Sequence, residues 1–435
     1  MPPAGWRWLL GAMVVLVAGG AHAQTEGPGV KISDTLVLHP GIAVGAGYDD
    51  NLYYATGTRN DVVGGVFYLA VRPGLAIGTR SAQRGGNTPH ALDFRFHAGL
   101  PLRFPLSLTK DISNRYSIGA DVGLLLSIFP FGAWSLDLFD NFMRTSNVPY
   151  AATKDNFRAI DIDDNQAGLR LRWRPGGQRF ETSLQYMFNV VYFESALLST
   201  KTSLVNDFLL RLKWKFFPKT ALYLNVGESI YMYPNVVLNL KTTPPSAYPL
   251  RAVLGMLGLI TSKFEVNVNA GYGNSFTRDN QFSGGNISYS SVIGHAEFTW
   301  RPAALTAINL GYKHDFAQSL IGTYFDLDGA WAGINQAIWK FNVGLRFNYE
   351  HRGFHGDLRN DGLNIPNPAA PGAGVNRTDH LLTLHAQVDY PFKDWLFASV
   401  GYDLGKNFSD CTLTVGLLPC NYLRNDVWLR MSVAY

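Results

Sequence analysis

The feature that most constrains this chain is alternation. From residue 35 to the last residue, apolar and polar side chains repeatedly exchange places with a period of two. In Leu92 to Phe104, one face carries Leu92, Phe94, Phe96, Ala98, Leu100, Leu102 and Phe104, and the other carries Asp93, Arg95, His97, Gly99 and Arg103. Phe341 to Glu350, Phe264 to Tyr272 and Leu382 to Tyr390 repeat the pattern. Successive side chains of a strand point to opposite faces, so each run is a strand with one apolar face. Strands of soluble proteins usually run about five or six residues. Runs of about 9–11 tilted residues are what a bilayer core requires. Aromatic residues near the strand ends (Phe104, Trp173, Trp214, Trp300, Tyr390) fit interfacial girdles.

Composition closes off the alternatives. Charged residues are 16% of the chain, against a usual ~25%, and aromatics are 13% beside 44 glycines. Disorder and coiled coils are thereby excluded. No run of about 20 apolar residues exists for a spanning helix, since Val122 to Trp134 is interrupted by Ser127 and Pro130. The fold class is therefore all-β, a transmembrane antiparallel β-barrel of the outer membrane with about 18 strands. The strands are expected near 35–49, 62–77, 90–104, 115–129, 132–146, 165–174, 179–194, 205–216, 220–233, 249–261, 263–276, 287–300, 304–317, 322–335, 338–352, 379–391, 394–407 and 422–435. Sixteen is the competing count, because Arg251 to Ile260 is apolar on both faces.

Connector lengths alternate. Short turns are expected at 130–132, 175–177, 218–219, 261–262, 301–303 and 392–393, and long loops at 50–61, 147–164, 234–248, 278–286, 353–378 and 409–421. Outer-membrane barrels have short periplasmic turns and long external loops, so an even strand number places both termini in the periplasm. Residues 1–23 read as a cleaved signal peptide: Arg7, an apolar stretch Trp8 to Ala18, then Ala21-His22-Ala23. Residues 24–435 then form one barrel domain. The formal net charge of +4 falls to about +3 on loss of Arg7, too mild for a nucleic-acid partner. Cys411 and Cys420 form a local pair, which favours a disulfide over a metal site, with two free thiols as the alternative. The last strand presents Val427, Leu429, Met431, Val433 and the terminal Tyr435 on one face. This is the kind of strand read by the outer-membrane barrel assembly machinery.

Eighteen strands leave room for an aqueous channel. Arg170, Arg172 and Arg174 alternate with Leu169, Leu171 and Trp173, and Arg211, Lys213 and Lys215 alternate with Leu210, Leu212, Trp214 and Phe216. The apolar partners face lipid, so the cations face the lumen and form a basic wall toward the periplasmic half. Arg95, Arg103 and Arg346 extend it. Such a wall concentrates anions and contacts carboxylates along a sugar chain. The blander expectation pairs these cations with Asp93, Asp121, Glu181, Glu265 and Glu350.

No catalytic or cofactor signature accompanies them. The chain has no Gly-x-Ser-x-Gly, His-Glu-x-x-His or phosphate-cradling Gly-Lys-Ser/Thr. An enzyme is not expected. Asp161, Asp163 and Asp164 carry oxygens suited to Ca²⁺, but the plainer reading is a solvated acidic loop, so no metal is expected.

Four segments carry a resemblance: Leu38 to Tyr54 (LHPGIAVGAGYDDNLYY), Arg59 to Asp61, Val71 to Ile77 (VRPGLAI), and Trp134 to Tyr150 (WSLDLFDNFMRTSNVPY). They resemble the β-barrel porin-2 family, which includes Wzp-type porins of myxobacterial polysaccharide pathways. The resemblance implies a passive, monomeric channel for an exopolysaccharide, spore-coat or biosurfactant polymer. It also implies a periplasmic polysaccharide export protein, lacking its own outer-membrane span, as partner. A general or selective diffusion porin is the alternative, with residues 147–164 or 353–378 long enough to fold inward and constrict the lumen. A barrel enzyme acting on lipid or polymer is the third reading.

Overall fold

The computed structural model describes residues 29–435 apart from 53, 55–64, 80–90, 108–115, 154–155, 177–178, 236–245, 278–287, 320–322, 357–376 and 411–420. The signal-peptide expectation, Cys411, Cys420 and the Arg59–Asp61 segment lie outside the described residues. The barrel strands are β1 (Leu36–Asp49), β2 (Val66–Thr79), β3 (Leu92–Gly99 continued by Leu102–Leu106), β4 (Ser117–Ile118 continued by Ala120–Ile128), β5 (Trp134–Thr153), β6 (Asn156–Trp173), β7 (Phe180–Phe193), β8 (Ser203–Phe217) and β9 (Thr220–Met232). The circuit continues with β10 (Leu250–Thr261), β11 (Phe264–Asn274), β12 (Ser290–Trp300), β13 (Thr306–Gln318), β14 (Tyr324–Ile338), β15 (Phe341–His355), β16 (Arg377–Lys393), β17 (Leu396–Ser409) and β18 (Tyr422–Ala434). Each pairs antiparallel with its neighbours in sequence. β1 and β18 then pair from Gly41↔Ala434 to Asp49↔Asp426, and the Tyr435 amide donates to the Pro40 carbonyl at 3.0 Å. The result is a closed antiparallel barrel of 18 strands, as the alternation predicts. Arg251 to Ile260 pairs on both sides as an ordinary wall strand, so the count of sixteen is set aside.

Closure leaves no strand edge and turns one face of every strand outward. The outward set is apolar: Leu169, Leu171, Leu210, Leu212, Val427, Leu429, Met431 and Val433 are among the large hydrophobics left exposed. Water would penalise that surface, whereas lipid solvates it. Aromatic pairs mark one border of the band. Trp134 and Trp173 stack at 5.6 Å, Phe180 and Trp214 at 6.1 Å, and Phe264 and Phe298 at 5.9 Å. From Phe264 to Tyr272 on β11, about 20 Å is covered along the barrel axis at ~40° tilt, near the ~25 Å apolar band of such barrels.

Most connections at the end where β1 begins and β18 ends are tight, such as Pro218-Lys219, Ser262-Lys263 and Trp339-Lys340. This is the turn end, and the other is the loop end. At the turn end Trp339 and Phe129 take left-handed backbone (φ 54° and 49°). The break in β3 has a local cause. Pro101 has no amide to donate. Opposite it, Gly119 bonds the Pro101 carbonyl at 2.8 Å, where a Cβ would meet Pro101 Cγ at 2.7 Å.

One expected loop is not a loop. Apart from 154–155, residues 147–164 belong to the upper part of β5 and β6, which run on to Thr153 and from Asn156 and pair by Tyr150↔Arg158 and Thr153↔Asn156. This stretch therefore does not fold inward as a free segment. Above the apolar band no lipid enforces alternation, so the sequence loses its strand signature while the backbone ladder continues. Asp161, Asp163 and Asp164 accordingly sit on β6 and not in an acidic loop. Asp161 and Asp163 pair with Arg144 at 3.0 and 3.8 Å, and Asn189 donates to Asp164 at 2.8 Å.

Candidate functional site

The candidate site is the lumen, lined by the inward phase of the strands. β6, β7 and β8 are adjacent, and their register sets Arg172, Ser183 and Arg211 in one row. In the next positions Lys213 faces Glu181, and Gln185 faces Arg170. The six predicted cations of these strands therefore share one stretch of wall near the turn end.

Their environments divide. Arg172 donates to Asp137, a carboxylate only 4% exposed, and Arg170 approaches the same carboxylate at 4.0 Å while its Nε donates to Gln185 at 2.7 Å. Arg174 donates to the Pro130 carbonyl at 2.8 Å and to Ser135 at 2.9 Å, and lies 3.5 Å from Glu181. These three arginines share two carboxylates, Asp137 and Glu181, within the wall. On β8, Arg211, Lys213 and Lys215 have no carboxylate within 4.0 Å among the described residues. Arg211 instead lies over the Tyr223 ring, 4.9 Å from its centroid. That ring is held by Asn267 and Asn269 at 2.9 and 3.0 Å, and it crosses Gly255 on β10, directly opposite. A Cβ there would come within 2.4 Å of the ring, so only glycine lets the tyrosine lie flat and carry the guanidinium. Cation–π contact attracts the arginine but leaves its charge uncancelled.

The other predicted lumen cations separate. Arg346 donates to Asn348 at 3.2 Å and has no carboxylate within 4.0 Å among the described residues. Arg95 pairs with Asp93 at 3.1 Å in an exposed contact. Arg103 does not join the basic wall, because it lies at the loop end. There it meets Asp49 at 2.9 Å and Asp426 at 3.4 Å, over the Tyr68 ring at 3.5 Å. Its position follows from the direction of β3, which climbs to the loop end while β6 and β8 descend.

Around Arg103 is a network with no counterpart in the sequence reading. Asp49 is fully buried and accepts from Arg103 and from Arg424 at 2.7 Å. Tyr68 donates to Asp426 at 2.6 Å, and Arg424 donates to the Tyr54 hydroxyl. Burial holds the Tyr54 phenol above its ordinary range, so it stays neutral and able to accept. Of the five carboxylates expected as partners, Asp93 and Glu181 pair with the predicted cations. Asp121, Glu265 and Glu350 instead engage His97, Arg301 and Arg352 at 3.3, 3.2 and 2.6 Å. Asp137, Asp49 and Asp426 were missed, since strand phase reveals an inward carboxylate but not which cation the register brings to it. Among the described residues no group of three or more metal-ligating side chains is arranged around a common point.

A closed barrel with an apolar outer band, an aromatic border and a charged lumen defines the class of outer-membrane β-barrels. The FrpB iron transporter from Neisseria meningitidis (F5-1 variant) superposes with a TM-score of 0.51 at 9% identity, covering 94% of this chain and 83% of that one. OpdQ from Pseudomonas aeruginosa (0.46, 11% identity, 92% and 97% covered) and OccAB3 from Acinetobacter baumannii (0.46, 10%, 92% and 99%) superpose more loosely. At such identities the likeness is one of fold. No protein-family model matches the chain, and no curated protein does.

Proposed function

We propose that this barrel is a passive outer-membrane channel for an anionic cargo, and that the cargo is a secreted polysaccharide bearing carboxylates. The observation that carries the anionic part is the row Arg211, Lys213 and Lys215. Three cations project into the lumen with no carboxylate within 4.0 Å among the described residues, so a passing anion can approach them closely. The polymer part draws on the porin-2 resemblance of Leu38 to Tyr54 and Trp134 to Tyr150. In this reading the turn end faces the periplasm, where an export protein without its own membrane span delivers the polymer. Tyr435 and the outward stripe of β18 are the assembly signal, and the barrel acts as a monomer.

The same row serves small carboxylates or phosphates equally well, so a selective diffusion porin is the second reading. Two measurements separate them. In a planar bilayer under a KCl gradient, the purified barrel should prefer chloride, and absence of conductance would overturn both readings. In cells, deletion should abolish surface polysaccharide. Normal polysaccharide with slowed uptake of small carboxylates would favour the diffusion porin.

A further inference from the structure

Arg72 on β2 and Arg430 on β18 flank β1, and both stand on the inward phase, Arg430 between outward Leu429 and Met431. The register places Arg430 opposite Gly45 and Arg72 opposite Ala43, with Ala70 across from Gly45. Only the small side chains of β1 stand between the two arginine positions, which lie two strands apart on one wall. On the far side of Arg430 the register sets Ser399, which donates to Asp389, and further along the same face Asp403 stands opposite Asp426.

The neighbouring acids are already engaged. Asp403 accepts from Trp428 at 2.8 Å and contacts His385 at 2.5 Å, while Asp389 accepts from Gln387 and Ser399, both at 2.6 Å. Among the described residues no carboxylate lies within 4.0 Å of either guanidinium. Arg430 is nonetheless held in place, 4.7 Å over the Trp428 ring. That ring lies across Gly401, where a Cβ would come within 2.1 Å of it. The support repeats the Gly255–Tyr223–Arg211 stack on a different wall. Two like charges on one stretch of wall repel, and an anion bound between them relieves the repulsion.

We propose that Arg72 and Arg430 together form an oxyanion-binding site on the lumen wall, taking a carboxylate or phosphate group of the cargo. Two planar forks suit such a group. This deepens the anionic-channel reading and rests on it. The pair is centred on β1, six strands from the β7 centre of the first wall, a third of the way round the 18-strand barrel. A chain with repeated carboxylates can touch both walls, whereas a single small anion engages one at a time.

The experiment is block of chloride current through single channels of the full-length barrel by citrate and by oligogalacturonate at matched carboxylate concentration. In R72Q/R430Q the residence time of either blocker, relative to wild type, should fall at least tenfold. R72K/R430K keeps both charges but loses the forks, and should fall by less; it also serves if the neutral variant assembles poorly. Citrate block that depends on the pair marks a small-anion source, and a stronger dependence for oligogalacturonate marks a polymer; either supports the site. Equal block in wild type and both variants overturns it and leaves chloride selectivity standing. A wild-type barrel without chloride current overturns the channel reading itself.

Discussion

The balance of charge differs between the two ends of the lumen. At the loop end, cations are matched: Asp49 with Arg103 and Arg424, Arg144 with Asp161 and Glu194, Arg251 with Asp315 at 3.0 Å, and Arg377 with Asp379 at 2.7 Å. Nearer the turn end, Arg170, Arg172 and Arg174 share two carboxylates, while Arg72, Arg211, Lys213, Lys215, Arg346 and Arg430 have none within 4.0 Å among the described residues. Both ends are built on the same strands with the same outer face. A matched group gains its stability inside the wall and has little left to offer a visitor, whereas an unmatched one keeps its field for whatever passes. The first arrangement builds a barrel, and the second builds a path.

The largest effect should come from breaking the matched end. Asp49→Ala leaves Arg103 and Arg424 sharing the single carboxylate of Asp426, at 3.4 and 3.5 Å, and should cost about 3–5 kcal/mol. Urea unfolding in detergent micelles reads this directly, and a midpoint equal to wild type would remove the network from the account of stability. Next comes neutralisation of the open end. Arg211→Gln, Lys213→Gln and Lys215→Gln together should lower the chloride-over-potassium permeability ratio several-fold while the barrel still assembles. The wild-type preference should itself shrink at 1 M salt, where the screening length is about 3 Å. A triple variant as anion-selective as wild type would mean that these cations do not set selectivity.

A smaller change tests the support under one cation. Gly255→Ala pushes a methyl into the Tyr223 ring and should destabilise by about 1–3 kcal/mol. It should also weaken anion preference by less than the triple substitution, because Arg211 alone is displaced. Unaltered unfolding and selectivity would show that the flat ring is incidental. The smallest effect is expected at Arg95, whose contact with Asp93 is largely exposed. Arg95→Gln should change stability by less than about 1 kcal/mol, and a larger loss in the same urea titration would contradict its placement outside both systems.

Lipid made the fold legible. Wherever a strand crosses the apolar band, every second side chain must be apolar, and runs such as Leu92 to Phe104 record that demand residue by residue. Where the demand ends, so does the record: the upper hairpin of β5 and β6 carries mixed side chains and reads as a loop, although its ladder continues to Thr153↔Asn156. The candidate site was half legible for a related reason. Phase alone reveals that Arg211 or Arg103 points inward, but pairing across strands decides whether a carboxylate waits beside it. Asp137 meets Arg172 only through the β5–β6 register, and Asp49 meets Arg424 only when the barrel closes. Arg72 and Arg430 escaped notice because each is a lone cation on its strand stretch. Their signal was present in the alternation of Leu429, Arg430 and Met431.

The seam between the first and last strands also has a history. Asp49 and Arg424 are 375 residues apart in the chain, and no shorter stretch can bring them together. While a nascent barrel still gapes, the Asp49 carboxylate lacks one arginine, and Arg424 and Asp426 have yet to reach the first strand. The charges fall into balance only when the final strand arrives in register, with Tyr435 beside Pro40. A one-residue slip would turn Arg424 and Asp426 toward the membrane. The seam thus reports its own completion, because only a barrel closed in the right register brings these charges together.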